Sequence, residues 1–503
     1  MKLSDILKGI EMDRANRPPA LDIAHITNDS RAVREGSLFV AVKGHELDGS
    51  FFINDALNKG ALAIVSETDF EAPKNVAKVI VRDSRAAVSL IADNYYGRPS
   101  GKLKTVGITG TNGKTTITYL IESILSSAGN DCGVIGTINC RLKDKVVPSK
   151  NTTPGPIELA SIMAEMARTG AKYAVMEVSS HSLHQRRVDC ARFDVGIFTN
   201  LTGDHLDYHG NIENYFDAKK RLFTLLKDKG MAVLNLDDPK VASVKDSIGC
   251  KAMTYSVEGN ADIAAQDVTL SLNGSSFKVS SPSGNFHINT VLIGRHNVSN
   301  ILAGIAAALV LGIDKAAIKR GVESFRLVPG RLESLDAGQN FKVLVDYAHT
   351  EDALYNILSL LREVADKKII TVFGCGGNRD TTKRPLMGKV ACKYSDRVII
   401  TSDNPRFEEP SRIIAEIEAG VKNICRNYEI VPDRRSAIET ALMQAGEGDV
   451  VVLAGKGHED HQIIRDKILP FDDRTVAMEI LKRMHEDKGY RKSNTRKSVI
   501  GRS

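Results

Sequence analysis

Hydrophobic positions along this chain repeat first as short strands and then as strands alternating with amphipathic helices, and that change marks its organisation. In the first hundred residues the runs GSLFVAV and LAIVSE have the length and composition of strands, and GRPSGK at 97–102 reads as a linker. From Lys104 the runs TVGIT, YAVMEV, FDVGIFTN and MAVLNL are separated by helix-length segments, the signature of a mostly parallel sheet. The alternation resumes after RLVPGRLE at 326–333 with FKVLVDYAH, KIITVFGCGG, DRVIITSDNP and DVVVLAGKGHE. The pattern predicts an α/β chain of three domains: a small α/β domain over 1–98, a central domain with a mostly parallel sheet over 99–328, and a Rossmann-like doubly wound domain over 329–487. Residues 488–503 are expected to be a basic tail without regular structure.

Length agrees with several cores, because 503 residues exceed what one core usually organises. The formal charge of +6 first suggests a nucleic-acid partner, but five of the basic residues lie in the last 13 positions, which hold no acid. Without them the charge is +1, so no nucleic-acid partner is expected; a solvated tail, or one resting on an acidic surface, accounts for the excess. The longest uncharged apolar stretch, 301–313, is shorter than the roughly 20 residues that cross a bilayer, and no membrane span is expected. The N-terminus intersperses charges with apolar residues, unlike a signal peptide, and points to the cytoplasm. Seven cysteines without CxxC spacing argue against a disulfide framework or zinc ribbon and for buried free thiols.

The segment TVGITGTNGKTTITYLIESIL has the order strand, glycine loop, Lys-Thr, helix, which makes the central domain a P-loop ATPase domain. Backbone N–H groups of Gly110, Thr111, Asn112 and Gly113 and the helix start at Lys114, Thr115 and Thr116 are placed to cradle phosphates; Lys114 adds a point charge and Thr115 an oxygen for Mg²⁺. The loop is short, since Ile108 stands where the longer P-loop has its first glycine. Nearly every apolar run ends in Gly, Ser, Asp, His or Arg, and open parallel sheets bind ligands at those ends. Glu177 closes one such strand and offers further oxygen to magnesium.

The short loop GTNGKTT is typical of the Mur ligases and the related folylpolyglutamate synthases, ATP-dependent enzymes that join an amino acid to a carboxylate. In family order follow NTTPG at 151, EVSSHSLHQRRV at 177, NLTGDHLDYHG at 200, AKKRLF at 218, GRHNVSN at 294, PGRLES at 329, VDYAHTEDAL at 345, GCGGNRDTTKRPLMG at 374, DNPR at 403 and AGKGHED at 454. Together they resemble the UDP-N-acetylmuramoyl-tripeptide synthetases of that family across most of the chain. The resemblance implies ATP and Mg²⁺ as cofactors, and phosphorylation of the free D-glutamyl carboxylate of UDP-MurNAc-L-Ala-D-Glu. An incoming amine then attacks the acyl phosphate and phosphate departs, in cytoplasmic peptidoglycan precursor synthesis by a monomer. Such a reaction needs positioning and charge neutralisation rather than a covalent nucleophile.

Residue by residue, the resemblance places His296, Asn297 and Asn300 near adenine and brings Arg331 and Asp346 to ATP as the C-terminal domain closes. The strongly apolar helix after this motif leaves a packing role open for Asn300. Asn28, Ser30, His45, Glu46, Leu47, Thr152, Thr153, Ser179, Gln185 and Arg187 are implied to hold the UDP-sugar peptide, Arg187 as a clamp on its carboxylates. For the N-terminal members of that set, an ordinary surface loop is the alternative. His205 is implied as a third metal contact beside Thr115 and Glu177. On spacing alone, Asp204, His205, Asp207 and His209 also permit a zinc site or a plain polar turn. Lys219 is harder to place, since a cation opposes a nearby metal. In the Mur ligases the matching lysine is carbamylated, and as a carbamate it would orient magnesium; without the resemblance it reads as a solvated helix charge.

Two branches of the family add meso-2,6-diaminopimelate or L-lysine, which differ by one carboxylate. A guanidinium fork pairs a carboxylate bidentately where a neutral side chain cannot. The diaminopimelate branch carries the D-N-P-R found here at Asp403, Asn404, Pro405 and Arg406, with Arg379, Gly455 and Glu459 around the amino acid and Glu459 on its distal ammonium. The expected substrates are therefore UDP-MurNAc-L-Ala-D-Glu and meso-diaminopimelate, with an L-lysine ligase or a non-ligating ATPase module as alternatives. For Arg406 the plain alternative is a surface salt bridge to Glu408 or Glu409. Glu351 departs from the family's proline in DYAHTPDAL, a change expected to affect only a helix start.

Overall fold

The computed structural model describes residues 1–16, 21–44, 47–143 and 145–500, with 487–500 as backbone only. His45 and Glu46 lie outside the described residues. The chain divides into two compact units: Met1–Val268 with Phe277–Ile288 and Arg295–Phe325, and Arg326–Ser503 with Thr269–Ser276 and Asn289–Gly294.

In the first unit the N-terminal strands His25–Thr27, Ser37–Val40, Ala61–Ser66 and Ala77–Val81 run parallel, and Met12–Asn16 closes the edge antiparallel. One face of this sheet carries a core of its own around Phe39, Ile53, Ala56, Ile64 and Val76, and the other face shares a core with the central block. Helix Ser84–Tyr95 turns Ala87, Val88, Ile91 and Ala92 into the apolar cluster that holds Leu159, Ala160 and Met163 of helix Pro156–Arg168. That shared burial merges two blocks which the linker at 97–102 separates in sequence.

Asp93 on the same helix is half-buried, one carboxylate oxygen has no hydrogen-bond partner among the described residues, and burial raises its pKa to about 6 against the pull of Arg98 and Arg192. The unfolded carboxyl ionises near 4, so the ionised folded form is penalised once the pH passes about 6, and stability is lost as pH rises through that window. Asp93→Asn is expected to stabilise the protein by about 1 kcal/mol at pH 8, allowing for solvent screening, and by less at pH 5. Equal gains in urea midpoint at both pH values would contradict this account.

The larger sheet of this unit places Lys104–Thr109 between Tyr173–Glu177 and Phe193–Phe198, continued by Leu226–Asn235 and Lys251–Ser256, all parallel. On the other side, strand Cys132–Ile135 leads into the antiparallel pair Asn139–Leu142 and Lys145–Pro148. Register sets Glu177 opposite Ile108 and Phe198 opposite Thr109, so three strand ends finish level beneath the phosphate loop.

The second unit is doubly wound. Lys342–Asp346, Val450–Ala454, Ile369–Phe373, Arg397–Ile400 and Tyr428–Ile430 are parallel neighbours, with Glu333–Leu335 antiparallel at the edge. Helices Glu351–Val364, Lys383–Tyr394 and Pro410–Glu418 cover one face, and Arg434–Gln444 and Asp473–Ile500 the other. Helix Glu351–Val364 begins at the residue that replaces proline, capped by the Thr350 hydroxyl on the Ala353 N–H, with Glu351 and Asp352 favourable at the positive end of the dipole.

Two sequence expectations differ here. Cys392 and Cys425 form a disulfide, because the end of one helix and the turn after another bring their Cα atoms to 5.8 Å, within disulfide range; the other five cysteines are free. The last helix carries the backbone through the basic tail to Ile500, a segment that lacks proline. Among the described residues no helix is long and apolar enough to cross a membrane.

Candidate active site

Helix Lys114–Ser127 starts directly from the loop after strand Lys104–Thr109, and Gly113 takes the left-handed conformation (φ 90°) that begins it. A Cβ there would lie 2.3 Å from Asn300 Oδ1, so the loop closes against Asn300 only because position 113 is glycine. Asn300 is thus more than a packing residue of helix Arg295–Val310; it also receives a hydrogen-bond partner role toward Asn297, donating from Nδ2 to Asn297 Oδ1 at 3.2 Å. His296, at the exposed start of that helix, and buried Asn297 lie within the same first turn. The loop is braced from the next strand end: Asn200 Oδ1 accepts the Asn112 N–H at 2.9 Å and the Thr199 hydroxyl donates to Asn112 O at 2.6 Å. Thr111 Oγ1 donates to Thr202 O at 3.2 Å, and Thr116 is buried in the helix start.

Glu177 is buried at its strand end, 1% exposed, and accepts the Thr115 hydroxyl at 3.0 Å. Thr137 adds its backbone N–H at 2.8 Å and its hydroxyl at 2.9 Å, and passes on to Thr152 Oγ1 at 3.1 Å. The Thr153 hydroxyl donates to Glu177 O and receives the Ser179 N–H, so Thr152, Thr153 and Glu177 form one network. Thr137 was not expected from sequence; the only signal is its place in GTIN just beyond a strand end. Hard oxygen donors of this kind fit magnesium.

Lys219 is 1% exposed, because helix Ile212–Lys220 turns Tyr215, Ala218 and Lys219 inward, while Lys220 is half-buried. Its ammonium donates to Gly110 O at 2.8 Å and lies 4.3 Å from the centre of the Tyr215 ring. Lys114 donates to the same carbonyl at 2.8 Å. Burial first, and Lys114 second, hold the Lys219 pKa well below the usual lysine value. The reading of Lys219 as a solvated charge is therefore corrected.

His205 adopts a left-handed backbone (φ 53°) and packs edge-on against His181 at 4.8 Å between ring centres. Burial, offset by Asp204, lowers its pKa, leaving a neutral imidazole available as a ligand. His209 is buried and bonded to Ser180 Oγ at 3.0 Å. Among the described residues no three His, Cys, Asp or Glu side chains are grouped to hold a metal, so the zinc reading of this segment finds no support.

Arg187 donates to Gln185 Oε1, and Gln185 Nε2 donates to Tyr208 Oη at 2.9 Å. No carboxylate pairs with Arg187 among the described residues. Asn28 lines a cavity of about 390 Å³ with His25, Tyr96, Gly155, Glu158 and Ser161. Ser30 is buried at the start of the short helical turn Ser30–Ala32, while Leu47 is exposed. A second cavity of about 380 Å³, beneath the hairpin 139–148, contains none of the expected phosphate or metal residues; chemistry rather than volume locates the site.

In the second unit, Asp346 ends its strand buried, accepting the N–H groups of Leu332 (2.7 Å) and Ala348 (2.8 Å), and burial raises its pKa against Arg331. The Arg331 guanidinium lies 4.9 Å from the Tyr347 ring centre and its buried Nε has no hydrogen-bond partner among the described residues.

The turn 403–406 is held from several sides. Asn404 Nδ2 donates to Glu459 Oε2 at 2.8 Å, Gln462 Nε2 donates to Asp403 O at 2.6 Å, and Gly455 sits against the Asp403 carboxylate. Gly377 passes so close to Pro405 O that a Cβ would lie 2.0 Å from it. Arg406 is left-handed (φ 51°), and its Nη1 donates to Gly377 O at 2.9 Å. The carboxylates that sequence offered it are taken: Glu408 by the fully buried Arg384 at 3.0 Å and Glu409 by Arg465 at 3.5 Å. Arg384 also holds Glu416 and Gly376 O, and it keeps the Glu408 pKa down at about 2. Arg379 is exposed in the adjoining loop. Neither Arg384 nor Lys456 was singled out from sequence, although both lie inside motifs that were.

Three family models match the chain: Mur ligase family, catalytic domain, over residues 22–96; Mur ligase middle domain over 108–308; and Mur ligase, glutamate ligase domain, over 330–457. The UDP-N-acetylmuramoyl-L-alanyl-D-glutamate–2,6-diaminopimelate ligase of Geobacillus thermodenitrificans is 44% identical over 491 residues, covering 96% of this chain and 99% of its own. Its namesake from Syntrophomonas wolfei is 43% identical over 485 residues, with 96% and 99% covered. A solved structure of a ligase of the same name is 34% identical with a TM-score of 0.71, covering 96% of this chain and 99% of its own. The MurF ligase of Thermotoga maritima in complex with ADP, 21% identical with a TM-score of 0.61 and coverage of 93% and 98%, shares the fold.

Proposed function

This chain belongs to the Mur ligase family, and from that premise we propose that it is the ATP-dependent ligase that joins meso-2,6-diaminopimelate to UDP-MurNAc-L-Ala-D-Glu in peptidoglycan precursor synthesis. The observation that carries the choice of amino acid is Arg406, a guanidinium in a pinned turn with no carboxylate of its own among the described residues. No observation favours the L-lysine alternative.

Residues 110–116 hold the ATP phosphates through backbone N–H groups and Lys114. Asn297, Asn300 and His296 serve the nucleoside; Arg331 and Asp346 of the second unit are assigned to ATP by family resemblance alone. Thr115, Glu177, His205 and Lys219 as a carbamate would hold magnesium, which supplies charge neutralisation on the phosphates. Asn28, Ser30, Leu47, Thr152, Thr153, Ser179, Gln185 and Arg187 hold the UDP-sugar peptide, with Arg187 on a carboxylate. The D-glutamyl carboxylate takes the γ-phosphoryl group, and the amine displaces phosphate from the resulting acyl phosphate. Arg406 and Arg379 receive the distal carboxylate, and Glu459 the distal ammonium. The reaction is assigned to the cytoplasm, where ATP and nucleotide-linked sugars are available, and to a monomer.

The purified protein with UDP-MurNAc-L-Ala-D-Glu and ATP is expected to release phosphate with meso-diaminopimelate and to do so poorly with L-lysine. Equal phosphate release with both amino acids would remove the specificity claim.

A further inference from the structure

Lys456 is a fully buried cation, 0% exposed, that no step of the proposed reaction uses. It follows strand Val450–Ala454 by two residues, and its ammonium donates to Asn404 Oδ1 at 3.3 Å and to Glu459 Oε2 at 3.1 Å. Asn404 Oδ1 also accepts the Ile463 N–H at 2.9 Å. Two donors on that oxygen fix the orientation of the amide, so Nδ2 is left to face Glu459 Oε2, which it reaches at 2.8 Å. Glu459 Oε2 therefore receives two donors, while Oε1 receives none from the described residues, and the side chain is 23% exposed.

We propose that Lys456 is a positioning residue for amino-acid recognition: it anchors Glu459 through Oε2 and the Asn404 amide, so that Oε1 alone is presented to the distal ammonium of the substrate. The charge of Lys456 matters as well as its hydrogen bonds. A partly buried carboxylate without a cation is costly, and Lys456 compensates Glu459 before substrate arrives, so the pocket is preorganised. A neutral side chain would leave Glu459 held by the Asn404 amide alone. The inference rests on the reading of Glu459 as the contact for the distal ammonium.

Steady-state kinetics of the full chain, with each substrate varied in turn, tests it. Lys456→Met is expected to raise KM for diaminopimelate about tenfold or more, with KM for ATP and for the UDP-sugar peptide within about twofold. Lys456→Gln, which keeps a donor and loses the charge, is expected to show a smaller rise and serves as the deciding variant if the methionine protein does not fold. An unchanged diaminopimelate KM in the variant that folds, or equal rises for all three substrates, overturns the proposal. Glu459→Gln separates the two readings. If it leaves the diaminopimelate KM unchanged, the Glu459 assignment fails, and the Lys456 proposal with it. If it raises that KM while the Lys456 variants do not, only the Lys456 proposal fails.

Discussion

Replacing Arg406 with alanine is expected to raise KM for meso-diaminopimelate about a hundredfold while KM for ATP stays within about twofold, and to remove most of the preference over L-lysine. The magnitude follows from deleting one partner of a desolvated, charge-assisted pair, a loss of about 2–5 kcal/mol. The position is prepared for that task. Both backbone sides of Arg406 are bonded to the strand His461–Ile464 region, its N–H to Ile463 O at 3.0 Å and its carbonyl accepting the Arg465 N–H at 2.7 Å. Nη1 is aimed by Gly377 O, which leaves the remaining guanidinium donors for a ligand. Arg406→Lys is expected to recover little, since an ammonium is a point charge without the fork. If KM for L-lysine rose as much as KM for diaminopimelate, Arg406 would be shaping the turn rather than reading the distal carboxylate.

How much of this was legible in the sequence depended on whether the determinant was local. The phosphate loop was legible because strand, glycines and helix start are contiguous, and the start of helix Glu351–Val364 because a Thr cap and two acids sit within one turn. The merging of the first two blocks was not, since it depends on Ile91 and Met163 meeting from separate helices. The Cys392–Cys425 pairing was hidden for the same reason, its partners being 33 residues apart with no spacing signature. In the proposed amino-acid site, DNPR announced Arg406, but the freedom of its charge depends on Arg384 taking Glu408 from another helix. Lys219 is the sharpest case. Adjacent to Lys220 and near the end of a polar helix, it has the sequence of an exposed charge, and only the orientation set by Tyr215 and Ala218 buries it.

That burial yields the second large expectation: Lys219→Arg should lower kcat about a thousandfold, as much as Lys219→Ala, with substrate KM values changed far less. A buried cation beside Lys114, both donating to Gly110 O, is electrostatically unfavourable. The proposed carbamylation would resolve the conflict. The neutral amine attacks the carbon of CO₂, the nitrogen loses a proton, and the resulting anion faces Lys114 as an opposite charge. The chemistry requires the unprotonated amine, and burial supplies it by holding the Lys219 pKa well below the ordinary lysine value. Acidification through that lowered pKa should therefore favour the ammonium and release CO₂, so activity should fall with pH more steeply in CO₂-depleted buffer than in bicarbonate. With ¹³C-labelled bicarbonate, a carbamate carbonyl resonance is expected in the unaltered protein and not in Lys219→Arg, because a guanidinium stays protonated and cannot be carbamylated. If the arginine variant kept its activity, a cation would suffice at this position and the role assigned to the carbamate would be wrong.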